Sequence, residues 1–199
     1  MDLAGVETRP TGMCVMDNSL RVSTCLLHGN EEIMCWTVDA RPDVVAIDAP
    51  LALSRGRKSI LERSDIHLRE CDRQPPKMWI KFFPLTLGHM RKLTAMAMLL
   101  KALMENKGMT VVETYPGAAQ DVLHIPRKGR GLDKLAESLR MIGIRGLKEG
   151  LSGDELDAVT CALVGIMYLR GDYVAIGDPD EVLMILPLAT GKWQKPTNR

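Results

Sequence analysis

Four carboxylates stand where their spacing could serve chemistry. Asp48 closes the apolar run Val44 to Ile47, and Glu113 closes Met109 to Val112. Short, wholly apolar runs are the pattern of strands covered on both faces. In open sheets built from such strands ligands bind beyond the carboxyl ends, so both acids fall on the reactive edge. Adjacent strands lie ~4.8 Å apart, close enough for two strand-end carboxylates to repel each other or share a cation. Asp2 precedes the loop Thr8-Arg9-Pro10-Thr11-Gly12, in the place of a first strand. Asp157 lies on one helical face with Cys161, Val164 and Tyr168. A carboxylate heading an apolar stripe needs a partner, because burying it charged and alone is costly.

Taken singly, a strand-terminal acid is a turn or cap residue more often than a ligand. Asp154 and Glu155 are accounted for by the start of a helix, where acids complement the dipole. Convergence of Asp2, Asp48, Glu113 and Asp157 would change the reading. Hard oxygen donors without His or Cys select Mg²⁺ or Mn²⁺ over zinc or copper. One such ion, or two ~3.5–4 Å apart, would suit hydrolysis of a phosphodiester.

The elements that must position these acids are legible in outline. Thr11–Met16 and Arg21–Leu27 flank the turn Asp17-Asn18-Ser19, which predicts a hairpin. A helix follows, with Asn30 as cap, Ile33, Trp36 and Ala40 on one face and Pro42 as its stop. Residues 51–90 lose periodicity and gain charge, which suggests an insertion over the sheet. Helical spacing returns from Leu93 to Met104, ending near Gly108. Another helix is expected around Leu132 to Ile142. Ser152-Gly153-Asp154-Glu155 spells a capping box that opens a long helix to about Arg170. A strand at Val182–Leu186 precedes a polar tail, residues 189–199. A hairpin leading into alternating units implies an α/β domain over residues 1–188, with a mixed sheet and helices on its faces.

Composition narrows the partners. The 199 residues carry 26 Lys and Arg against 25 Asp and Glu, so a net charge of +1 provides no global field toward nucleic acid. Five cysteines lack any C-x-x-C pair, which fits reduced thiols in a cytoplasmic protein better than zinc or disulfides. No apolar stretch approaches the ~20 residues of a bilayer span.

Read together, Asp2-Leu3-Ala4-Gly5, Arg9-Pro10-Thr11-Gly12, Pro42 to Leu51, Arg69-Glu70-Cys71-Asp72-Arg73, Glu113 to Ala118 and Asp154 to Ala158 resemble the domain-of-unknown-function family 429. Members of that family are described as predicted nucleases. The resemblance implies an RNase H-like fold: a five-stranded mixed sheet, an antiparallel meander followed by parallel strands, with the insertion after the fourth. It matches Asp2, Asp48, Glu113 and Asp157 to the family's acidic positions. The expected activity is then a Mg²⁺- or Mn²⁺-dependent phosphodiester hydrolase. In it Asp2, Asp48 and Asp157 are metal ligands and Glu113 is a ligand or a base that positions water. Arg69 and Arg73 hold substrate phosphate and Asp72 orients them, since Arg presents a fork matched to phosphate oxygens.

Two other classes compete. One is a non-catalytic binding or assembly module on the same fold; the other is an actin-like nucleotide binder, for which no Walker-type glycine loop speaks. His67 and Cys71, four apart, could pair as base and thiol but lack an orienting third group. Trp79, Phe82 and Phe83, interleaved with Lys77 and Lys81, are the best local platform for stacking bases.

Overall fold

The computed structural model of the chain describes residues 1–6, 8–62, 64–73 and 88–188. The aromatic-basic segment around Trp79 and the polar tail lie outside these residues. In chain order the strands are β1 (Thr11–Met16), β2 (Val22–Leu27), β3 (Val45–Asp48), β4 (Val111–Thr114), β5 (Tyr173–Ile176) and β6 (Met184–Pro187). The α-helices are α1 (Gly29–Ala40), α2 (Glu70–Arg73), α3 (Gly88–Glu105), α4 (Pro116–Val122), α5 (Leu132–Ile142) and α6 (Gly153–Arg170).

The strands form a mixed sheet of four, ordered β3-β4-β6-β5, and a hairpin, β1-β2. β3, β4 and β6 run parallel, and β5 closes the edge antiparallel to β6. The five-stranded sheet implied by the resemblance does not form as such. Its first strand is reduced to single-residue bridges: Asp2 pairs antiparallel with Gly12 of β1 and parallel with Asp48 of β3. Around it the Met1 nitrogen donates to the Ala46 carbonyl, and the Asp48 N–H donates to the Met1 carbonyl. Two residues of ladder join hairpin to sheet. Next to Met1 lies a slot of about 300 Å³ lined by Cys14 to Asn18 of the hairpin and by Asp43 to Ala46, at the start of β3.

Helices cover both faces. Val45 and Ile47 pack with Ile33, Ala97, Leu100 and Met104, from α1 and α3. Ala46 and Val112, pointing the other way, pack with Cys161 and Val164 of α6. Helix α6 is buried from Leu156 to Cys161 and again from Leu163 to Met167, so it behaves as a core element with hardly a polar side. Its start is set as the sequence spells it: Ser152 Oγ accepts from the Glu155 N–H while the Glu155 carboxylate accepts from the Ser152 N–H.

Some boundaries differ from expectation. His28, not Asn30, caps α1. Strand β5 and helix α4 have no counterpart in the sequence reading. Pro116-Gly117 looks like a turn, yet proline at a first helical position is already set for the helix and forfeits no hydrogen bond. Among the described residues no helix is long and apolar enough to cross a membrane.

Candidate functional site

Strand parity decides which acids meet. Asp48 is the register partner of Thr114, and Glu113 is the partner of Ile47. Successive side chains on a strand alternate faces, so Glu113 points with Val111 and Ile47 while Asp48 points with Ala46 toward α6. Asp48 ends β3 while Glu113 stands one residue before the end of β4, and that single step sends them to opposite faces.

On the α6 side, Asp48 stands next to Asp2, its bridge partner. The first turns of α6 bring Asp154 and Asp157. Close approach of backbone makes this possible: a Cβ on Gly12 would lie 2.0 Å from the Asp154 carbonyl oxygen, so only glycine lets β1 pass the head of α6. Between these carboxylates lies Lys128, on a single 3₁₀ turn, Lys128–Arg130. Its Nζ donates to Asp154 Oδ1 at 3.1 Å and Asp2 Oδ2 at 3.3 Å and is ion-paired with Asp157 Oδ2 at 2.8 Å. Asp157 Oδ1 accepts from Gln120 Nε2 at 2.7 Å, and the same amide donates to Thr160 Oγ1. Among the described residues no hydrogen bond or ion pair reaches the Asp48 carboxylate.

The crowding of acids shifts the protonation of the groups around it. Desolvation, opposed by Lys128 but reinforced by Asp157 and Asp154, raises the Asp2 carboxyl to about 6. Burial and repulsion from Asp2 and Asp157 hold the Asp48 carboxyl well above the usual carboxylate range. Burial pulls the Lys128 ammonium down, but Asp2, Asp157 and Asp154 together outweigh it and leave the ammonium more firmly protonated than usual.

On the other face Glu113 is already spoken for. Arg69 Nη1 and Nη2 donate to its two carboxylate oxygens at 2.6 and 2.7 Å, and the Leu51 N–H donates to Oε2 at 2.8 Å. Arg69 also donates from Nε and Nη2 to Asp72. With 1% of its surface exposed and four of its five N–H groups engaged in these bonds, Arg69 clamps the 51–73 segment to β4. The expected phosphate contact of Arg69 and the metal or base role of Glu113 therefore give way to a buried ion pair, because each group's capacity is taken by the other. Asp72 does orient Arg69, toward Glu113. Arg73 is 59% exposed and faces Glu70 at 3.8 Å, outside the acidic pocket. Cys71 is buried, its thiol pushed up by desolvation, so the His67–Cys71 nucleophile finds no support.

Two cavities open on Asp2. One, of about 210 Å³, reaches Asp48, Tyr115 and the Arg69–Glu113 pair. The other, of about 230 Å³, is lined by Asp2, Asp154, Lys128, Arg9 and His89. A donor set made only of oxygens, carrying more negative charge than one ammonium neutralises, fits a hard divalent cation in chemistry and in charge. Among the described residues, however, no three Asp, Glu, His or Cys side chains are arranged as a ready metal cage. The point where Asp2, Asp154 and Asp157 converge is held by Lys128. Sequence reasoning passed over both Lys128 and Gln120; the one signal available was a basic stretch broken by glycines, Arg127-Lys128-Gly129-Arg130-Gly131. Comparison of the chain with family models, with characterised proteins and with solved structures finds no match.

Proposed function

We propose that the chain is a divalent-cation-dependent phosphodiester hydrolase of the RNase H-like class, related to the predicted nucleases it resembles. The observation that carries this reading is the meeting of Asp2, Asp154 and Asp157 on one ammonium, with the Asp48 carboxylate beside Asp2. Asp2, Asp48 and Asp157 would hold Mg²⁺ or Mn²⁺, with Asp154 at the rim. Bound there, the ion would supply a Lewis acid for the phosphoryl oxygen and a more acidic water. The chain's own part is to keep the acids desolvated, to orient Asp157 through Gln120, and to offer Lys128 and Arg9 in the adjoining cleft as cations for the substrate phosphate. A nucleic acid is the substrate class most consistent with that pairing. Five free thiols support a reducing, cytoplasmic setting.

Replacing Asp48 with Asn keeps shape and removes the carboxylate of the residue that bridges to Asp2. The Asp48→Asn protein should fold, fail to cleave nucleic acid with Mn²⁺, and lose any Mn²⁺-dependent rise in melting temperature. Cleavage at the wild-type rate in that variant would refute the hydrolase. A binding or assembly module is the second reading, favoured by the ammonium already standing among the acids. It is supported if the wild-type chain binds nucleic acid and shows no thermal shift with Mn²⁺.

A further inference from the structure

Resting on the cation reading above, we propose that Lys128 is a displaceable counter-cation: its ammonium holds Asp2, Asp154 and Asp157 together without metal, and yields that place to a divalent ion. One ammonium is shared among three carboxylates, within 3.3 Å of an oxygen of each. Asp48, beside Asp2, has no oxygen on that ammonium, so the internal cation serves only part of the cluster. A divalent ion held by Asp2, Asp48 and Asp157 brings twice the charge to carboxylates the ammonium now shares, Asp2 and Asp157, and the two cations cannot occupy that position together.

Lys128 is built to leave. Its side chain is 44% exposed, and it starts a single 3₁₀ turn. Gly129 lies inside that turn and Gly131, at φ +122°, directly after it. Withdrawal is therefore a rotation of one long side chain and leaves every strand and long helix in place. The stem crosses the head of α6 at Gly153, where a Cβ would come within 3.0 Å of Lys128 Cδ. Glycine at this first helical position is what lets the ammonium reach inward.

There is also somewhere for it to go. The 230 Å³ cavity that Lys128 already lines contains Arg9, and an ammonium turned into it would give that cleft two cations side by side. Entry of metal would thereby free the charge that meets the phosphate. No other described arginine near the pocket is as available: Arg69 is buried in its pair with Glu113 and Asp72, and Arg127 is bound to Asp121 and Tyr115.

The test is Mn²⁺ binding to the full chain, read by the electron spin resonance of free Mn²⁺ with thermal melting in parallel. Lys128→Met should bind Mn²⁺ at least about tenfold more tightly than wild type, since a charge that competes for the same oxygens is gone. Its metal-free form should melt lower, with Mn²⁺ restoring the loss. Equal or weaker Mn²⁺ binding by Lys128→Met overturns the counter-cation and leaves the cation site standing. Absence of Mn²⁺ binding by both proteins overturns both. Should Lys128→Met not fold, Gly153→Ala crowds the stem while keeping the charge. It should tighten Mn²⁺ binding by a smaller factor, and unchanged affinity there overturns the proposal equally.

Discussion

Asp2 shows how a single side chain records the state of the whole pocket. With its carboxyl raised to about 6 from an ordinary 3.8, the folded protein binds a proton that the unfolded chain releases between those values. Stability linked to Asp2 is therefore full below about pH 4 and declines as pH rises toward 6. The Asp2→Asn variant never carries that charge. Without metal it should match wild type in acid and exceed it by about 2–3 kcal/mol at neutral pH, measured by denaturant unfolding across the pH range. A constant difference at all pH values would deny that burial and the neighbouring acids raise this carboxyl. At this scale the acids were legible in sequence as residue types, and Asp48 does feel the charges of Asp2 and Asp157. Glu113 was misplaced because in sequence both acids follow an apolar run in the same way, whereas β4 continues one residue further, to Thr114, and sequence does not display the relative register. Arg69 was misread for a related reason: its partner in the ion pair is 44 residues away.

At the scale of elements, the weak point is the segment that carries Asp2. It is held by bridges at Gly12 and Asp48 and ends at the inner wall of the slot between β1 and β3. Gly12 exchanges both backbone hydrogen bonds with Asp2. Partners alternate along an extended strand, so Cys14 and Met16 turn their amides to the same opening. Helix α6 covers one side of the slot with Ala162, Gly165 and Ile166, and α1 covers the other with Trp36 and Ala40. A strand lying there would be enclosed on both faces and apolar at every position. Joining four Val, Ile or Thr residues to the amino side of Met1 should raise stability by about 1–3 kcal/mol, as apolar burial outweighs ordering. Four Gly and Asp residues should not. Equal melting temperatures for the two fusions would mean the slot accepts no strand. Hairpin, α3, α5 and α6 were visible beforehand through periodicity and capping. Strand β5 escaped because it follows Gly171 with only Tyr173 to Ile176, too short for a period to show.

For the whole molecule, a net charge of +1 means that any grip on nucleic acid is local. If Arg9 and Lys128 are the contacts, the double-logarithmic salt dependence of binding should have a slope of about −2, against about −10 for a protein with a broad basic face. Fluorescence anisotropy at several salt concentrations reads this directly, and a steep slope would point to a larger surface. The amino-acid sequence determined the alternating α/β plan, the helix starts and which residue types were on hand, because periodicity, caps and turns are written within a few neighbours. The tertiary structure alone decided which acids share a face, that Arg69 pairs with Glu113, and that Lys128 fills the pocket. Those outcomes depend on strand register and on contacts between distant segments, and only the packed chain sets them.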